Sequence, residues 1–148
     1  MANETVSLYF RLFNEIGILD QLARTAFQAS IPDGFLVSHF TVLNHLVRVQ
    51  DGRTPVELAR AFQVAKTTMT HTLTGLEKAG LVELWSNEDD GRSKRVWITD
   101  NGRQFLLDTL RSLGPELEDL KSVFPKERVE QLLPGLEELR RIMDERRD

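Results

Sequence analysis

Between Lys66 and Thr74 the chain gathers side chains suited to reading paired bases: Lys66, Thr67, Thr68, Thr70, His71 and Thr74. Hydroxyls and an imidazole can meet the donors and acceptors that base pairs show in the major groove, and a lysine can hold a phosphate. A second set follows at Arg92-Ser93-Lys94-Arg95, three cations in four residues beside the turn dipeptide Asp90-Gly91. A cation at a loop tip is drawn to the negative potential of a narrow minor groove, which marks Arg92 for insertion and leaves Lys94 and Arg95 to hold phosphates. The formal net charge is -4, so any such binding rests on local rather than overall charge.

These residues need elements to present them. Thr54-Pro55-Val56-Glu57 combines a capping threonine, proline at the first helical position and glutamate three residues after the cap, and opens a helix carrying Leu58, Ala59 and Phe62. Gln63-Val64-Ala65 is a tight connection to a second helix, from about Lys66 to Ala79, with Met69, Leu73 and Leu76 facing inward. Gly80 ends it, and Leu81 to Trp85 and Arg95 to Ile98 alternate with period two around the charged segment 87–94, the pattern of a hairpin. The order helix, short turn, helix, hairpin is that of a winged helix-turn-helix.

On either side lie long amphipathic stretches. Tyr9, Leu12, Phe13, Ile16, Leu19, Ala23, Ala26 and Phe27 mark a helix over 5–28, broken by Pro32 and Gly34, and a short helix covers Ser38 to Val49. Thr99 caps a helix with Phe105, Leu106, Leu110 and Leu113; Gly114-Pro115 should split it, and Pro134-Gly135 should interrupt the final helix. The expected fold is mainly α with a small β-hairpin wing, one domain over 1–148. Within it, 35–103 is the winged helix-turn-helix, and the helices of 1–34 and 104–148 form the dimerisation region. A two-fold homodimer reads a palindromic operator; the alternative is that the terminal stripes close a monomeric bundle.

Several residue runs resemble the MarR family of multiple-antibiotic-resistance-type regulators over nearly the whole chain: Thr54-Pro55-Val56-Glu57-Leu58-Ala59, Val64-Ala65-Lys66-Thr67-Thr68-Met69-Thr70, Leu76-Glu77-Lys78-Ala79-Gly80-Leu81-Val82, and Asp90-Gly91-Arg92 leading to Ile98-Thr99-Asp100-Asn101-Gly102. The resemblance implies that Asp90 pairs with or orients Arg92, that Thr67, Thr68, Thr70 and His71 face bases or phosphates, and that the terminal helices intertwine in a dimer. It also implies a repressor of double-stranded operator DNA, released by a small amphipathic or phenolic effector. Phe13, Phe27, His39 and Phe40 are the candidate pocket. Three positions depart from the family pattern: His71 stands for a frequent arginine, Gly75 for a charged residue, and Ala65 for a serine or threonine cap that Thr67 would have to replace.

Other classes find little support. The chain has no cysteine, which excludes disulfides, thiolate metal sites and thiol redox sensing. No nucleophile and base, phosphate-cradling glycine loop or metal-ligand spacing occurs, and His39, His45 and His71 lack matching carboxylates, so neither an enzyme nor a metal or other cofactor is expected. No apolar run approaches membrane-spanning length and the first residues lack a secretory pattern, so a cytoplasmic protein without membrane contact is expected. Trp85 and Trp97 could stack on a nucleobase or an aromatic effector, but are expected to pack across the hairpin as part of the core. The competing reading from another class is a protein-interaction module whose wing is only a charged surface, without specific DNA binding.

Overall fold

A computed structural model describes residues 2–147. In chain order the elements are α1 (Ala2–Ser30), α2 (Val37–Arg48), α3 (Pro55–Phe62), α4 (Lys66–Lys78), β1 (Val82–Ser86), β2 (Lys94–Ile98), α5 (Asp100–Ser112), α6 (Gly114–Val123) and α7 (Lys126–Glu145). They fall into two compact units, the first ending at Ser112 and the second beginning at Leu113. The boundary coincides with Gly114-Pro115, where the helical run divides between α5 and α6 as the sequence predicts.

In the first unit, apolar faces from four helices and the hairpin meet in one core. Val42, Leu43 and Leu46 of α2, Leu58 and Ala59 of α3, and Met69, Leu73 and Leu76 of α4 join Leu81, Val82, Val96, Ile98 and Leu106. The three α4 residues at i, i+4 and i+7 are all buried, so this helix is anchored by one stripe and presents the rest of its surface outward.

The strands pair antiparallel from Val82↔Ile98 to Ser86↔Lys94; β1 lies one residue later than the sequence reading, and β2 begins one residue earlier and ends at the same Ile98. Arg53 adds an isolated bridge to Val96. Asp51 ties the segment before α3 to this sheet, its Oδ1 accepting the amides of Gly52 and Ile98, both at 3.0 Å.

The start of α5 is fastened to the end of α4. Thr99 Oγ1 donates to the Gly80 carbonyl at 2.7 Å and accepts the Gly102 amide at 3.0 Å, while the Thr99 amide donates to the Leu81 carbonyl at 3.1 Å. Gly102 lies so close to the Leu81 carbonyl that a Cβ would collide with it. Gly80, at φ +73°, supplies the left-handed residue that ends α4.

Two expectations are corrected. Trp85 and Trp97 lie on the solvent side of the hairpin, 62% and 40% exposed, because Leu84 and Val96 take the core side of the same strands. Pro134 does not interrupt α7, which runs through it. The residue removes one backbone donor, a cost of about 3 kcal/mol at a helix interior, and the apolar period of Val129, Leu132, Leu136 and Leu139 continues across it.

Candidate nucleic-acid interface

Helix α3 sets the base of the interface. The Thr54 hydroxyl accepts the Glu57 amide at 3.2 Å and donates to Glu57 Oε1 at 3.1 Å, so the cap and the third helical residue hold each other. At the other end Gln63 adopts φ 53°, ψ 45°, a left-handed stop that reverses the chain within three residues and launches α4.

Lys66, Thr67, Thr68, Thr70, His71 and Thr74 are all exposed along α4. Their hydroxyls fall into two groups. Thr70 Oγ1 donates to the Lys66 carbonyl and Thr74 Oγ1 to the Thr70 carbonyl, both at 2.9 Å. These two side chains therefore keep only acceptor lone pairs and a methyl group for a neighbour, which suits a donor amine or a thymine methyl. Thr67 and Thr68 hydroxyls have no partner among the described residues and remain free to donate or accept. Thr72, between Thr70 and Thr74 in sequence, is buried and donates to the Thr68 carbonyl.

The first turn of α4 has no side-chain cap: Ala65 offers none, and Thr67 does not replace it. Its amides point outward beside Lys66, an arrangement favourable to an anion. The departure at Gly75 also acquires a cause. A Cβ there would stand 2.9 Å from His39 Nε2, so the missing side chain makes room for the His39 ring. His39 is held in place by the Leu36 amide, which donates to Nδ1 at 2.8 Å. Burial and the proximity of His71 push its pKa below the ordinary 6.5.

The wing is organised around Asn87, a residue that the reading of motifs and spacing passes over. Asn87 is buried; its Oδ1 accepts the Asp89 amide and Arg95 Nε, each at 3.1 Å, and its Nδ2 donates to Ser93 Oγ at 3.0 Å. Arg95 also donates through Nη1 to the Gly52 carbonyl at 3.0 Å and pairs through Nη2 with Asp89 at 3.1 Å. All three guanidinium nitrogens are thus engaged, two within the wing and one on the segment before α3, and Arg95 braces the hairpin where a phosphate contact was expected. Ser93 is similarly occupied, its hydroxyl donating to the Asp90 carbonyl.

Asp90 Oδ1 accepts the Arg92 amide at 3.0 Å. This fixes the backbone from which Arg92 projects without consuming its guanidinium. Among the described residues Arg92 and Lys94 make no ion pair or side-chain hydrogen bond, and both are exposed. The only signal for the Asn87 hub was its place at the mouth of a turn; the partners that make it a hub are reached only once the strands pair.

The four candidate effector residues are placed separately. Phe13 is 41% exposed on α1 and Phe27 is half-buried there. Phe40 packs against the core, and His39 makes an edge contact with Phe35 at 5.6 Å between ring centres. Concave sites among the described residues lie elsewhere, on the hairpin at Trp85 and Trp97 and along α1 around Leu8, Tyr9 and Leu12. Among the described residues there is no cluster of three or more His, Asp or Glu side chains placed to hold a metal ion, and no helix long and apolar enough to cross a membrane.

Residues 33–93 match the family model described as MarR family. The chain is 31% identical over 98 residues to the transcriptional activatory protein BadR of Rhodopseudomonas palustris, an alignment covering 65% of this chain and 54% of that protein. The chain thus spans about half the length of this curated relative. Among solved structures, the transcriptional regulator BldR from Sulfolobus solfataricus is 26% identical with a TM-score of 0.76, covering 90% of this chain and 95% of that one. A mutant MarR from E. coli complexed with operator DNA shares the fold at 24% identity and a TM-score of 0.68, covering 87% and 93%.

Proposed function

We propose that the chain, whose residues 33–93 match the MarR family model, is a transcription regulator of that family and binds double-stranded operator DNA as a homodimer. Helix α4 enters the major groove and the hairpin tip meets the adjacent backbone or minor groove. The observation that carries this reading is the exposed polar face of α4, uncapped at its first turn and anchored from behind by Met69, Leu73 and Leu76. Thr67, Thr68 and His71 serve as donors or acceptors to base edges, Thr70 and Thr74 as acceptors and methyl contacts, and Lys66 with the free amides holds a phosphate. Arg92 inserts at the wing and Lys94 holds backbone, while Asp90, Ser93 and Arg95 shape the loop that presents them.

The homodimer is supported by apolar side chains left open on α1 and α7, among them Phe10, Leu22 and Leu132. Two-fold symmetry would match a palindromic operator. For an operator that overlaps a promoter, occupancy represses by exclusion, and the site of action is the cytoplasm; the relative BadR is named an activatory protein, so operator position decides the direction of control. A small amphipathic or phenolic effector would release the DNA only through unequal affinity for the competent and incompetent spacings of the two heads. Phe13 and Phe27 on α1 are the candidate residues still open to it.

The test is fluorescence anisotropy with the promoter duplex upstream of the protein's own gene, supported by selection from a pool of genomic fragments. Wild type should bind one sequence selectively and lose affinity steeply with salt. Arg92→Ala should weaken binding by roughly 1–3 kcal/mol, about 5- to 150-fold. If no fragment is enriched and Arg92→Ala matches wild type, the chain is a protein-interaction module instead.

A further inference from the structure

We propose that the outer face of the hairpin binds an organic cation, an amine or quaternary ammonium with an apolar body, between Trp85 and Trp97. The strand register sets Trp85 opposite Arg95 and Trp97 opposite Glu83, so these four side chains share one face. They line a cavity of about 560 Å³ together with Glu88 and Asp89, a size that suits a small organic molecule. Two indoles at 62% and 40% exposure are a large apolar area to leave open on a strand pair.

The charge of the lining selects the ligand. Glu83, Glu88 and Asp89 contribute three carboxylates against the single guanidinium of Arg95, which is already engaged with Asn87, Gly52 and Asp89. The lining therefore carries a surplus of negative charge and repels anions, including an ionised phenol. Indole faces are the strongest aromatic partners for a cation, and a carboxylate beside them adds to the attraction.

Both rings are held before any ligand arrives. Trp85 Nε1 donates to Glu83 Oε2 at 3.1 Å. Trp97 lies over Gly52, where a Cβ would collide with the indole. Such preorganisation lowers the entropic cost of binding. The site is distinct from the exposed face of α4, and the inference does not depend on the DNA-binding reading.

The chain has only two tryptophans, both in this site, so tryptophan emission of the full-length protein without DNA, excited beyond the absorption band of Tyr9, reports on it alone. Benzyltrimethylammonium is titrated against benzyl alcohol and benzoate. The cation should give a saturable change at a concentration about tenfold lower than the alcohol, benzoate should give none, and Trp85→Leu should abolish the saturable response of the remaining Trp97. Glu88→Gln, at an exposed carboxylate without a partner among the described residues, should fold normally by circular dichroism and weaken the cation several-fold. Equal responses to all three compounds, or a non-saturating response that Glu88→Gln leaves unchanged, overturn the proposal.

Discussion

Leu43, Leu58 and Leu76 in the winged-helix segment are almost completely buried, whereas Phe10 and Leu22 of α1 and Leu132 of α7, of similar or larger size, are 69%, 62% and 50% exposed. In α6 and α7 no residue is buried at all. The same kinds of apolar side chain are therefore used in two ways. The winged-helix segment closes a core on itself, while the terminal helices display apolar surface that water disfavours and that a second copy of the chain would cover.

The sharpest way to press the comparison is to damage the closed core. Leu58→Ala should lower the stability by about 2–5 kcal/mol through lost burial and the cavity left behind, read from the urea midpoint at fixed protein concentration. A loss below about 1 kcal/mol would mean that the segment is less self-contained than its burial implies. The next largest effect belongs to the open surface. Leu22→Glu places a charge where the partner's apolar face is proposed to sit, and should raise the dimer dissociation constant about a hundredfold, near 3 kcal/mol. Sedimentation would show the shift from twice the chain mass to once. An unchanged dimer would move the interface off this face of α1.

The smallest effect concerns the buried histidine between α2 and α4. Because the folded-state pKa of His39 lies below its ordinary 6.5, the unfolded chain binds more protons in the interval between the two values. Stability is fully present above about pH 6.5, falls as the pH drops below it, and levels off once the folded-state pKa is passed. His39→Gln should flatten that part of the profile in thermal melts taken from pH 7.5 to 5. A profile as steep as wild type would assign the acid sensitivity to other groups.

Local signals carried much of this architecture. Thr54, Pro55 and Glu57 announce the start of α3, and the spacing of Met69, Leu73 and Leu76 fixes which side of α4 is buried and hence which side is open. Gly80 marks the end. The tryptophans were misread because both faces of the hairpin are apolar: period two separates Leu84 and Val96 from Trp85 and Trp97 but does not say which pair meets the core. Pro134 was misread because a proline rule weighs one missing donor and ignores the helical period on both sides. Arg95 could not be told from Arg92 by type or spacing, since what distinguishes it is the Gly52 carbonyl, 43 residues away in the chain, together with Asn87 and Asp89.

The fastening at Thr99 gives the molecule a mechanical property. One hydroxyl clasps the last turn before β1 and the first turn of α5, and Gly102 sits against the Leu81 carbonyl with no room for a side chain. Such a joint has little slack, since packed groups transmit displacement rather than absorb it. A tilt imposed on α5 is handed to the hairpin as rigid leverage, and the tip, at the far end of both strands, travels farther than the axle that turns it.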